Sequence, residues 1–151
     1  MSDNEYVDGV FRRADEGDME AIYEKGALYD LGELVPLDKC RASKLFKEAA
    51  DLGHAHSAWI HACELLWGLG SYSQNIKEGA EYLTKAIDAG SGEACITMAR
   101  LYLFGELGYE KNKTESDKLR RLALKLDGTV YDALSDPDYI KRVQKHLSND
   151  A

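Results

Sequence analysis

The sequence predicts an all-α fold, a short right-handed α-solenoid of three helix-turn-helix repeats with a capping helix at each end. The first observation behind this is a period. Glycines and small residues recur in register at 36 and then 37 residues: Gly17, Gly53 and Gly90; Ala21, Ser57 and Ala94; Gly26, Ala62 and Ala99; Gly32, Gly68 and Gly105. Self-similarity on this scale marks stacked supersecondary units. The second is another set of columns at 37 and 37: Leu45, Tyr82 and Leu119; Ala49, Ala86 and Ala123; Leu52, Ala89 and Leu126. The one-residue difference between the sets falls in the loop inside the first repeat. The third is helical spacing of the apolar residues within each unit, as in Leu45, Ala49 and Leu52, so that each unit reads as a helix pair.

In chain order, Val7, Val10, Phe11 and Ala14 form an i, i+3, i+4, i+7 stripe that predicts a helix over 3–16, the N-terminal cap of residues 1–17. Repeat 1, residues 17–53, carries helices near 18–31 and 39–52, the second opened by Asp38 as N-cap. Repeat 2, residues 53–90, carries 55–67 and 76–89, where Asn75 with Glu78 resembles a capping box. Repeat 3, residues 90–127, carries 92–104 and 115–126, with Thr114 and Asp117 in the same pattern. Gly53 and Gly90 stand where helices end. Asp136-Pro137, a cap followed by an N1 proline, opens a last helix with Tyr139, Ile140, Val143 and Leu147, the C-terminal cap within 128–151. Small residues at helix crossings let two backbones approach closely, and terminal helices cover the apolar ends that a solenoid would otherwise expose. Three repeats meet the minimum for a stable array, so a single-domain monomer is expected.

Composition narrows the function. With 44% hydrophobic and 30% charged residues and two prolines, the 151-residue chain is that of a folded globular protein. Its net charge of −8 opposes nonspecific attraction to nucleic acid or anionic membrane and suits a basic partner. The acidity is uneven: residues 1–30 hold nine acids and three bases, residues 111–151 seven and nine. No apolar run is long enough to span a bilayer, and Met1 to Asp8 is acidic where a signal peptide is basic and then apolar, so a cytoplasmic protein is expected. Cys40, Cys63 and Cys95 form no CxxC pair and are expected to be buried, reduced thiols.

Signs of catalysis are sparse. His54, His56 and His61 with Glu64 are the one cluster of metal-binding residue types. His61 and Glu64 lie i, i+3, whereas a zinc signature places two histidines i, i+4 with a third ligand. These residues are expected to pack or face solvent, and no metal or cofactor is expected. Nucleophile-elbow and phosphate-loop motifs are absent, and Gly68-Leu69-Gly70 follows a helix rather than a strand. A non-enzymatic protein is therefore expected.

Ala21, Gly26, Tyr29, Gly32, Val35, Asp38, Ala42, Phe46, Ala49-Ala50 and Gly53 resemble the pattern of the SEL-one-like repeat family, relatives of the tetratricopeptide repeats. The second repeat keeps Ala62, Gly68, Gly70, Ala80, Leu83, Ala86 and Gly90, and the third Ala94, Ala99, Tyr102, Gly105, Gly108 and Ala123. Departures are Lys25 and His61 in place of Leu, Arg120 in the column of Phe46 and Leu83, and Asp127 in that of the closing glycine. The resemblance spans residues 17–127 and implies an interaction scaffold. It also implies which first-helix positions line a concave groove: Glu20, Tyr23, Ala27, Asp30 and Leu31; His56, Trp59, Cys63, Leu66 and Trp67; Glu93, Ile96, Arg100, Leu103 and Phe104. Such a groove would have an apolar, aromatic floor and an acidic rim, selecting a basic or amphipathic protein or peptide. The expected function is a protein–protein interaction module. The alternative is a bacterial immunity protein that neutralises a cognate toxin, for example a basic nuclease.

Overall fold

Capping side chains set where the helices begin, and they recur with the sequence period. Each first helix of a pair opens on a side chain that accepts the backbone N–H three residues on: Asp18 from Ala21, His54 from Ser57 and Ser91 from Ala94, all at 3.1 Å. Each second helix does the same with Asp38, Asn75 and Asn112, which accept from Arg41, Glu78 and Glu115 at 2.9, 3.1 and 3.0 Å. The backbone N–H of these same three residues donates to the carbonyls of Tyr29, Leu65 and Tyr102 at 2.9, 2.8 and 2.9 Å. One repeated bond thus ties the start of each second helix to its first helix. Asn112, not Thr114, is the third of these caps, and it stands 37 residues after Asn75.

The structure, a computed structural model, describes residues 1–150; Ala151, the end of the segment assigned to the C-terminal cap, lies outside them. The described helices are α1 (Asp3–Asp15), α2 (Met19–Leu31), α3 (Lys39–Asp51), α4 (Ala55–Trp67), α5 (Ile76–Asp88), α6 (Gly92–Phe104), α7 (Lys113–Leu126) and α8 (Pro137–Asn149). Short 3-10 turns at Glu106–Gly108 and Ala133–Ser135 lie outside the repeat pattern, and the described residues contain no strand. None of these helices is long and apolar enough to cross a membrane.

The chain divides into two compact units, Met1–Ala89 and Gly90–Ala151. In the first, α1 to α5 pack each on the next. Ala14, Ala21, Ile22 and Ala49 form one buried cluster and Tyr29, Ala42 and Phe46 another, with Tyr23 and Leu45 against both. The small-residue columns lie at the contacts: a Cβ on Gly26 would come within 2.8 Å of the Phe46 ring, and one on Gly79 within 2.8 Å of Leu66 Cγ. Lys25, in a Leu column, lays its amine 4.7 Å over the Phe11 ring and pairs with Asp15 at 3.0 Å.

In the second unit α6 packs on α7, and the core contains Ala94, Cys95, Ala99, Leu101 and Ala123, with Leu134 and Val143 beneath the C-terminal segment. The two departures in repeat 3 have physical substitutes. Arg120 replaces the apolar column residue with a salt bridge to Asp132, at 2.7 Å from NH2 and 2.8 Å from Nε. Asp127 has extended backbone, φ −143°, where the other two pairs close on Gly53 and Gly90 at φ 102° and 99°. Its carboxylate accepts the Thr129 hydroxyl and N–H at 2.7 and 2.9 Å, which holds the carboxyl below the usual range.

The cysteine expectation needs correction. Cys95 is buried, and burial pushes its thiol up to about 11, but Cys63 is half-buried and Cys40 exposed. Cys40 is the second residue of α3 and lies outside that helix's buried face of Ala42, Ser43, Phe46, Ala49 and Ala50.

Candidate protein-binding surface

In the first unit α2 and α4 bring together Glu20, Tyr23, His54, His56 and Trp59. His54 organises the group. Its Nδ1 accepts the Ser57 N–H, so that nitrogen carries a lone pair; in the neutral ring the proton sits on Nε2, which donates to Glu20 at 3.1 Å. Tyr23 stacks on His54 with ring centroids 4.6 Å apart and meets His56 edge-on at 5.5 Å, and His56 lies 5.1 Å from Trp59. Tyr23, His56 and Trp59 are half-buried and Glu20 is exposed. Replacing His54 with alanine is expected to cost about 1 kcal/mol or somewhat more, the worth of an N-cap, with His54→Asp recovering most of it in urea unfolding.

At the C-terminal end of α2, Asp30 holds the Lys39 amine with its carboxylate at 2.9 Å and its carbonyl at 2.7 Å, while Leu31 is 64% exposed. Trp67 ends α4 half-buried. Leu66 requires correction: it is 0% exposed, because its face of α4 meets Gly79 of α5, and it serves the core.

Among the proposed residues of the second unit, Glu93 is half-buried and accepts from the Ser91 hydroxyl at 3.2 Å. Arg100 is engaged within the unit. Its Nε and NH2 donate to both carboxylate oxygens of Glu106 at 2.6 and 2.8 Å, and NH1 donates to the Tyr139 hydroxyl at 3.1 Å. Burial opposes the charge, but Glu106 and Tyr139 outweigh it and raise the Arg100 pKa. Arg100 is thus a structural clamp as well as a proposed contact. Phe104 is only 9% exposed and contributes mainly to the core.

The sequence did not single out His54 as a cap, and although it paired His61 with Glu64 at i, i+3, it did not join them to Ser43. The Ser43 hydroxyl donates to Glu64, whose other oxygen lies 3.4 Å from His61 Nδ1. His61 meets Tyr72 and Tyr82 edge-on, and among the described residues its Nε2 has no hydrogen-bond partner. The caps were findable, since Asp18, His54 and Ser91 keep the 36 and 37 spacing; the buried group joins residues that no period links. Among the described residues no three His, Cys, Asp or Glu side chains are grouped to hold a metal.

Solved structures share this arrangement of helices. The chain superposes with a TM-score of 0.69 and 25% identity on a protective antigen of uropathogenic Escherichia coli displaying an SLR fold, covering 79% of this chain and 25% of that one. A second match, at TM-score 0.65 and 24% identity, is a Sel1 repeat protein from Oxalobacter formigenes, covering 72% and 43%. The fold is the SEL-one-like repeat fold. No protein-family model matches the chain. Among curated proteins the chain is 30% identical over 122 residues to chitin synthase regulatory factor 2 of Schizosaccharomyces pombe, covering 80% of the chain. It is 32% identical over 107 residues to the chitin synthase regulator SKT5 of Saccharomyces cerevisiae, covering 69%. It spans 24% and 15% of those two proteins, so the likeness is to a segment of each.

Proposed function

We propose that the chain is a protein–protein interaction module that binds a partner through the aromatic face of α2 and α4. The observation that carries this is the row Tyr23, His54, His56 and Trp59, partly open to solvent beside the exposed Glu20 and Leu31. Aromatic side chains offer large contact area at low rotamer cost and dominate binding hot spots. The fold adds support, since stacked helix pairs present extended surfaces, and so do two relatives described as regulating another protein, a chitin synthase. An acidic rim of Glu20 and Asp30 favours a basic or amphipathic partner. Neither the fold nor the relatives favour the toxin-neutralising alternative specifically.

The test is quantitative co-purification with the wild-type chain, Trp59→Ala and Leu31→Glu. The two substitutions are expected to weaken recovery of a common partner by about tenfold or more, corresponding to hot-spot losses above roughly 1.4 kcal/mol. Leu31→Glu removes no packed side chain, so a loss there reads binding rather than folding. Unchanged recovery with both variants folded would remove this face from consideration.

A further inference from the structure

We propose that the α2 and α4 face of the first unit holds an arginine side chain of the partner, its guanidinium bonded to Glu20 and stacked on the neighbouring aromatic row. This rests on the interaction reading of that face and names the side chain it selects. Glu20, Tyr23, Ala27, Asp30 and Leu31 share one side of α2 by helical spacing. Most charges of α2 are already matched: Glu24 pairs with Arg13 at 3.0 Å, Lys25 with Asp15 at 3.0 Å and Asp30 with Lys39 at 2.9 Å. Glu20 differs. Among the described residues its carboxylate bonds only the His54 ring, through one oxygen, and its side chain is 58% exposed. Helix α4 adds no counter-charge, since its one Asp, Glu, Lys or Arg is Glu64, which accepts from Ser43.

The charge that α2 and α4 leave unmatched is therefore negative, and it stands at the head of a series of rings. His54 stacks on Tyr23 at 4.6 Å, Tyr23 meets His56 at 5.5 Å and His56 lies 5.1 Å from Trp59. Aromatic faces attract cations, and a guanidinium can lie flat on a ring while its in-plane N–H groups reach a carboxylate. An ammonium is more strongly hydrated and has no plane to stack. The same unit combines these contacts once already: Arg41 places its guanidinium carbon 4.9 Å over the Tyr29 ring while NH1 donates to the Tyr29 hydroxyl at 2.9 Å. Leu31, 64% exposed, lies about 16 Å along α2 from Glu20, a distance that an extended segment covers in about five residues. The selected segment thus carries an arginine and, about five residues away, an aliphatic side chain.

The experiment titrates the isotope-labelled full chain with a synthetic peptide bearing an arginine and a leucine about five residues apart, and with counterparts that carry citrulline, lysine or glutamate in place of the arginine. Citrulline keeps the shape and removes the charge. At low salt the arginine peptide is expected to bind with a Kd of about 1 mM or tighter, about tenfold tighter than the citrulline peptide and about threefold tighter than the lysine peptide. Amide signals of Glu20 and Tyr23 and the indole N–H of Trp59 should shift. Glu20→Gln, which keeps an oxygen for His54, should bring the arginine and citrulline peptides to equal affinity. If Trp59→Ala and Leu31→Glu lose the co-purified partner while the wild-type chain binds those two peptides equally, the face stands and the arginine subsite falls. No binding of the arginine peptide up to about 10 mM, a glutamate peptide that binds as tightly, shifts confined to other residues, or an unchanged preference in Glu20→Gln would each overturn the proposal.

Discussion

Arg100→Ala is expected to destabilise the second unit by about 3–5 kcal/mol, the range for breaking a buried ion pair from one side. Glu106 is only 6% exposed, and both of its oxygens are satisfied by the Arg100 fork. Removing the guanidinium leaves a carboxylate desolvated without a counter-charge and frees the Tyr139 hydroxyl from its donor. The turn that carries Glu106 adds to the sensitivity. Leu107 within it has φ 53°, a left-handed conformation that costs a non-glycine residue roughly 1–2 kcal/mol and persists when its surroundings hold it. Lysine is a poor substitute, because a single ammonium cannot reproduce the two-pronged geometry. The double variant Arg100→Ala with Glu106→Gln removes the stranded charge, and its urea midpoint is expected between those of Arg100→Ala and the wild type. A midpoint for Arg100→Ala within error of the wild type would show that the pair contributes nothing.

The second large effect is at a glycine. Gly79→Val is expected to cost about 2–3 kcal/mol, although glycine is the poorer helix former, because α4 and α5 meet there without space for a side chain. A Cβ at Gly79 would lie 2.8 Å from Leu66 Cγ and 3.0 Å from the Leu66 backbone nitrogen. The leucine side chain can shift; the backbone nitrogen shifts only if the helix moves. Gly9 provides the contrast. It also lies in a helix, but nothing stands within 4 Å of its Cβ position, so Gly9→Ala should stabilise by roughly 0.5–1 kcal/mol. Thermal unfolding of the two variants should therefore shift in opposite directions, and a common direction would show that helix propensity rather than packing governs both sites.

Residues that repeat were legible from sequence, and residues that act once were not. The columns Ala49, Ala86 and Ala123, fully buried in the structure, announced themselves because the same steric demand recurs in each helix pair. Gly32, Gly68 and Gly105 recur because each first helix closes on a left-handed residue, with φ of 70°, 64° and 67°. Asn112 escaped because Thr114 and Asp117 imitate a capping pattern, and only the 37-residue step from Asn75 separates them. Arg120 and Asp127 read as defects, since their partners Asp132 and Thr129 lie in a loop that belongs to no repeat. The candidate surface was half legible. The family resemblance implied that Tyr23, His56 and Trp59 share a face, but it could not tell that Leu66 faces Gly79 or that Arg100 is held by Glu106, because those contacts depend on the neighbouring helix and turn.

The uneven charge takes on meaning in the same way. The acids of residues 1–30 include Glu20 and Asp30, which stand at positions that the family resemblance assigns to a groove rim.

Site-directed photocrosslinking tests the proposed binding face most directly. A benzophenone amino acid in place of Leu31, exposed at the end of α2, should yield a discrete adduct with one partner polypeptide in cells. The same probe at Thr84, exposed on α5, should yield little. Equal adducts at the two positions, or none at Leu31 while the partner still co-purifies, would contradict binding through the α2 and α4 face.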